Sequence, residues 1–211
     1  MNPWKWIFLF CCIFGQNFGC QRDKLPKNLR QLCICMSSTK LVCKNIDHSS
    51  AVFQTSTSIN DITSDGTNPF QFITELVIED STFKNKCLNP EDFSDFESLN
   101  TLSVINSGLS NFLCNSEALP LSQLKVLDLS RNHIRNLEVS SLSSQLVSLN
   151  VSHNLIQQLG PSYFSQFSHL VTLDLSNNKL NENVDPTIFK SLPKSLKHLD
   201  ISSKLVYCAT L

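Results

Sequence analysis

From Leu124 onward, apolar residues return at positions 1, 4, 6 and 11 of a repeating frame. LKVLDLSRNHI, LVSLNVSHNLI and LVTLDLSNNKL fit L-x-x-L-x-L-x-x-N-x-L, and LKHLDISS begins a fourth, at a spacing of twenty-two to twenty-six residues. The step of two between positions 4 and 6 marks a short strand, because alternate strand side chains share a face. Leu127 and Leu129 are thus predicted to point inward and Asp128 outward. Position 9 is Asn132, Asn154 and Asn178, where an amide with both donors and acceptors can satisfy backbone groups at the bend leaving the strand. Stacked coils would line these amides into a ladder. Two degenerate copies precede them, at Leu99 (Leu102, Val104, Leu109, Phe112) and at Ile73 (Leu76, Ile78, Phe83), with Ser107 and Ser81 in place of asparagine. The prediction is five full copies, starting at Ile73, Leu99, Leu124, Leu146 and Leu170, and a broken sixth at Leu196. Coils of this length cannot bury an apolar face alone, so the pattern predicts an α/β repeat solenoid.

The segments between strands predict the outer face. Asn89-Pro90-Glu91-Asp92 and Asp185-Pro186 each read as an N-cap followed by proline at the first helical position, so short helical turns should follow. Phe93, Phe164 and Phe189 recur at equivalent places and are expected to stack as an aromatic spine. Cys87 and Cys114 fall at positions 15 and 16 of consecutive repeats, near enough in phase for stacking to pair them.

Composition places this solenoid in the cell. The balance of 17 Lys+Arg against 18 Asp+Glu disfavours a nucleic-acid partner. Nine cysteines ask for an oxidising compartment. MNPWK followed by the apolar run Trp6 to Phe14 is too short to span a ~30 Å hydrocarbon core, and residues 1–19 read as a secretory signal peptide. Gly15 or Gly19 can precede the cleavage site, although Ile13 or Asn17 then stands where a small residue is preferred. No other run of about 18 apolar residues occurs, so no membrane span is expected after it. Cys20, Cys33, Cys35 and Cys43, spaced C-x12-C-x-C-x7-C, directly precede the repeats; a zinc site is the competing reading, but C-x-C is tighter than the usual ligand spacing.

Leader, four-cysteine block and repeats in this order resemble the extracellular leucine-rich-repeat superfamily of receptors, matrix proteins and adhesion molecules. The resemblance implies a horseshoe with short parallel strands on the concave face and short helical turns or loops on the convex face. It also implies that residues 20–72 form an N-terminal cap and first coil, with Cys20 paired to Cys35 and Cys33 to Cys43, and that residues 73–211 hold the repeats. F-x-x-[FL] in repeats four and five (Phe164 and Phe167, Phe189 and Leu192) looks like the 24-residue type of Toll-like receptors and small matrix proteoglycans. The chain departs from the superfamily near its end: no C-terminal cysteine cap is visible, and the sixth repeat loses its frame at Ser202-Ser203-Lys204. Leu196, Leu199 and Ile201 are then expected near an uncovered edge, as in a truncated isoform, an incomplete part of a longer protein, or a homodimer formed through the open end or through Cys208, the odd cysteine. The last four residues, Cys208-Ala209-Thr210-Leu211, also fit a prenylation pattern, but prenyl transfer is cytosolic and conflicts with a secretory leader.

Strand positions 3, 5, 7 and 8 should face the concave surface, the usual binding face of a solenoid. Candidate contacts there are Glu75, Glu79, Asp80, Asp128, Arg131, His153, Asp174, His198 and Asp200. Position 5 reads Val77, Ser103, Asp128, Asn150, Asp174 and Asp200, a row in which unpaired carboxylates would repel and a basic partner or cation would relieve them. Asn150-Val151-Ser152 is the only N-x-[ST] sequon and makes Asn150 a candidate glycan site. His153, His169 and His198 have no recurrent serine or cysteine beside them, so no enzyme is expected, and neither a metal nor a cofactor is called for. The sequence thus reads as an extracellular recognition module for a protein or matrix-glycan ligand. A structural matrix component and an inhibitor of a secreted hydrolase are the alternatives.

Overall fold

The computed structural model describes residues 20, 25, 29–47, 68, 70–114, 121–137, 142–160, 163–180 and 187–203. The signal-peptide reading of residues 1–19, Asp185-Pro186 and Cys208 lie outside them.

Eight short strands form one sheet in chain order: β1 (Cys33–Cys35), β2 (Lys40–Lys44), β3 (Glu75–Glu79), β4 (Thr101–Ile105), β5 (Val126–Asp128), β6 (Ser148–Asn150), β7 (Thr172–Asp174) and β8 (His198–Asp200). β1 runs antiparallel to β2, and every later pair is parallel. The repeat frame sets the register without a slip: Leu41, Leu76, Leu102, Leu127, Leu149, Leu173 and Leu199 stand side by side at position 4. A one-residue slip would turn this row to water, so the inward leucines themselves hold the register. All of them are buried except Leu199, at 37% exposure on the last described strand. Burying each such side chain contributes about 1.5–3 kcal/mol. The chain is a leucine-rich horseshoe solenoid.

Asparagine at position 9 ties coil to coil. Asn132 Oδ1 accepts from the Ser107 and Leu109 N–H groups (3.0 and 3.1 Å), while its Nδ2 donates to Val104 O (2.7 Å) and Leu129 O (3.0 Å). Asn154 and Asn178 repeat this one and two coils later, accepting from Ile134 N and Ile156 N. Ser81 and Ser107 keep a shorter version: Ser107 Oγ accepts from Ser81 N (3.3 Å) and donates to Ile105 O (2.9 Å).

A second column went unread in the sequence. At position 8, Asn45, Asp80, Asn106, Arg131, His153 and Asn177 all have positive φ, between 50° and 58°. Each of their N–H groups donates to the position-7 carbonyl of the next coil, as in His153 N to Ser176 O (2.9 Å). After glycine, Asn, Asp and His tolerate this left-handed region best, and five of the six residues are of these types, Arg131 being the exception.

Two expectations for the convex side are corrected. Pro90–Phe93 forms a 3-10 turn with proline at its start, but Asn89 makes no side-chain capping bond. Phe93 and Phe164 are buried, whereas Phe189 is 49% exposed and Ile188 takes its place in the core. Successive side chains of the helix Thr187–Lys190 lie about 100° apart, so seating Ile188 inward turns Phe189 out. Nor is there one aromatic spine. Phe70, Phe93 and Phe96 make one cluster (4.7 and 6.4 Å between centroids), and Tyr163, Phe164 and Phe167 another (5.6 and 6.4 Å). Between the two clusters the core is packed by Phe112 and by aliphatic residues such as Leu121, Leu137 and Leu142.

Three disulfides close the N-terminal half: Cys20–Cys35, Cys33–Cys43 and Cys87–Cys114. Cys33–Cys43 joins directly opposed residues of β1 and β2. Cys87 and Cys114 flank a parallel bridge between Leu88 and Leu113 on the convex side, which holds their Cα atoms 5.0 Å apart.

Asp92, in the 3-10 turn, has its carboxyl pushed up to about 6, first by burial and then by the charge of Glu91. The fold therefore favours the protonated form, and that stabilisation is full below the unfolded value near 3.8 and lost as pH climbs through about 6. Stability to urea should accordingly fall between pH about 4 and about 6, and Asp92→Asn should flatten that part of the profile. An unchanged slope in the variant would refute the assignment.

Candidate ligand-binding face

Three rows of outward side chains run across the sheet, each fixed by strand alternation and register. At position 5, Ile34, Val42, Val77, Ser103, Asp128, Asn150, Asp174 and Asp200 are successive neighbours. This row is apolar at the capped end, where Ile34 is 57% exposed but Val77 only 8%, and polar or acidic from β4 onward.

The candidate residues fall into two groups. At the capped end, Lys40 Nζ lies 2.5 Å from Glu75 Oε1 and Lys44 Nζ 2.5 Å from Glu79 Oε2, flanking the apolar row on both sides. The hydrogen bond and charge of Glu79 raise the Lys44 pKa. Exposed pairs of this kind contribute little stability, but they leave this end of the face close to neutral. Asp80 Oδ1 accepts from Asn106 Nδ2 (2.7 Å). KLVCK and ELVIE carry opposite charges at matching ends, but the pairing follows only from the parallel register of β2 and β3.

The second group lies on the later coils, where each position-5 carboxylate or amide accepts a hydrogen bond from the turn that follows it. Asp128 Oδ1 accepts from Ser130 N (2.8 Å) and its Oδ2 from Asn150 Nδ2 (3.2 Å). Asn150 Oδ1 accepts from Ser152 N, Asp174 Oδ1 from Ser176 N and Asp200 Oδ1 from Ser202 N, at 2.8–2.9 Å. Position 5 thus closes the turn that leaves each strand, which is why Asp and Asn recur there. The bond from Ser202 lowers the Asp200 pKa. Only Asp174 and Asp200 are adjacent carboxylates; Asn150 separates Asp128 from Asp174. Arg131 and His153 stand just past their strands in the positive-φ column, with His153 Nε2 3.4 Å from Asn177 Nδ2. His198 is exposed opposite Thr172. Among the described residues no three His, Cys, Asp or Glu side chains gather as metal ligands, and no helix is long and apolar enough to cross a membrane.

Known proteins repeat this architecture. Family models described as leucine rich repeat match residues 144–205 and 123–144. The receptor-like protein kinase BRI1-like 3 of Arabidopsis thaliana is 40% identical over 88 residues, 39% of this chain and 8% of that protein. Tsukushi of Xenopus tropicalis is 35% identical over 117 residues, 54% of this chain and 32% of that protein. A chain of the TLR13–ssRNA13 complex superposes with a TM-score of 0.51 at 22% identity, covering 75% of this chain and 23% of that one, a likeness of fold. The matched region therefore spans only 8% and 32% of the two curated relatives. The repeat frame, the asparagine ladder and the family models together identify residues 123–205 as leucine rich repeats, within one solenoid sheet that runs from β1 to β8.

Proposed function

We propose that this chain is an extracellular recognition module that binds a protein ligand on its concave face, by contact and without chemistry. The observation that carries the reading is the position-5 row, which passes from apolar (Ile34 exposed, Val42 half-buried) to acidic (Asp174, Asp200) across one continuous sheet. Apolar area beside oriented carboxylates suits a protein surface with basic and apolar residues, and it disfavours anionic matrix glycans. Three disulfides favour an oxidising compartment, and the receptor-like kinase among the relatives fits a role in recognition. In this reading residues 1–19 are a leader, 20–72 the cap and first coil, and 73–211 the repeats. Glu75, Glu79, Asp80, Asp128, Arg131, His153, Asp174, His198 and Asp200 are the contact set, and a glycan on Asn150 would narrow the face beside Asp128.

Glycan wedges test this. The chain is first screened against a panel of secreted and cell-surface ectodomains, and any binder is then measured against two variants. Ser103→Asn with Ile105→Thr puts a sequon in the middle of the concave face; Gln166→Asn makes Asn-Phe-Ser on the convex side. The concave glycan should weaken binding at least ~tenfold and the convex one less than ~twofold. Binding indifferent to the concave glycan would end the proposal.

A further inference from the structure

The three disulfides differ in what solvent reaches. Cys33 and Cys43 are fully buried, and Cys20 and Cys35 are half-buried. Cys87 is 5% exposed, whereas its partner Cys114 is an exposed residue. Thiol exchange is a displacement in which a thiolate reaches one sulfur while the other departs, so access to a single sulfur decides which bond reacts. Of the three bonds, Cys87–Cys114 alone offers an exposed half-cystine, and it offers it at Cys114.

The same bond is the one the local fold can lose. Lys86 O accepts from Ser110 N (2.8 Å), Phe112 O from Leu88 N (3.0 Å) and Leu88 O from Cys114 N (2.9 Å), so backbone hydrogen bonds join the two convex segments beside the cystine. Leu88 and Leu113, next to the two cysteines, are buried in the core and anchor both segments from beneath. Lys84 O lies 3.8 Å from Cys87 Sγ, an acceptor that only a thiol hydrogen can use, so the buried sulfur has a partner once it is reduced. Cys33 and Cys43, by contrast, belong to the core itself, and a reagent reaches them only if the cap opens.

We propose that Cys87–Cys114 is a thiol-exchange site, opened by a dithiol reductant that attacks the Cys114 sulfur while the solenoid stays folded. A thiolate of the reductant bonds to Cys114 Sγ, the bond to Cys87 breaks, and Cys87 leaves as a thiolate that takes a proton from water. The reductant's second thiolate then attacks its own sulfur in the mixed disulfide and releases Cys114, which is protonated in turn. Two electrons pass from the dithiol, which ends as a disulfide, to the cystine, which ends as two thiols. The site lies on the convex side and does not rest on the concave-face reading.

Timed reduction of the full chain by dithiothreitol tests it, with acid quenching, alkylation and peptide mass spectrometry reading each bond separately. A Cys208→Ser background keeps the tail thiol from reshuffling the bonds. Cys87–Cys114 should open at least ~tenfold faster than either cap disulfide, with the far-UV circular dichroism unchanged. Brief treatment with reduced glutathione, a monothiol, then locates the attacked sulfur: the mixed disulfide should sit on Cys114, with Cys87 recovered as the alkylated thiol. Glutathione disulfide should likewise modify Cys114 in Cys87→Ser at least ~tenfold faster than Cys87 in Cys114→Ser. If either variant fails to fold, the two arms on the unsubstituted pair decide the matter. A cap disulfide that opens first or at the same rate, loss of the dichroism signal as Cys87–Cys114 opens, or glutathione found on Cys87 as readily as on Cys114 would each overturn the proposal.

Discussion

Asn132→Ala should destabilise the fold by about 4 kcal/mol, read as a lower urea midpoint with little change in slope. Asn132 stands where the asparagine ladder meets the serine-bearing coils, so its amide serves a neighbour that cannot serve itself. Alanine would leave the N–H groups of Ser107 and Leu109 without the Oδ1 they share, at positions 1% and 0% exposed. A buried donor without a partner costs about 1–3 kcal/mol, and two are orphaned here. Val104 O loses its Nδ2 donor as well (2.7 Å). Leu129 O is less affected, because Asn154 Nδ2 also donates to it (2.9 Å). Asn132→Ser should cost roughly half as much, since a hydroxyl keeps one acceptor, as Ser107 does toward Ser81 N. A loss below about 1 kcal/mol for the alanine variant would mean that water replaces the amide and that the ladder does not hold the coils together.

Phe164→Ala should cost about 4 kcal/mol, and Phe189→Ala less than about 1 kcal/mol. The two residues open the same F-x-x-[FL] motif in successive repeats, so the sequence pattern gives them equal weight. Phe164 is fully buried, with ring centroids 5.6 Å from Tyr163 and 6.4 Å from Phe167; removing it leaves a cavity between two coils that rigid neighbours cannot fill. Phe189 is 49% exposed and leaves its place in the core to Ile188. Thermal or urea unfolding of the two variants side by side checks the contrast. Equal losses would place Phe189 in the core after all.

The strands were readable because their evidence is local. An apolar residue at positions 4 and 6 in every copy admits one side chain direction and one register, and the described sheet has that register from β3 to β8. The ladder was readable for a similar reason, since an asparagine recurring beside the strand end has few other uses. The concave face was only half readable. Which residues share a row followed from the frame, but what they do there did not. The aspartates, expected to repel, mostly close the turns that follow them, and Glu75 and Glu79 find lysines on β2, a strand with no recognisable copy of the repeat.

By itself the sequence determined the period, the inward and outward faces and the coil-to-coil register, because each depends on side-chain types repeated at fixed intervals along the chain. Only the tertiary structure decided which phenylalanines enter the core and which carboxylates are neutralised by lysines of a neighbouring strand. Those outcomes depend on contacts between residues 20 or more positions apart, whose geometry is set by stacking and leaves no periodic trace in the chain.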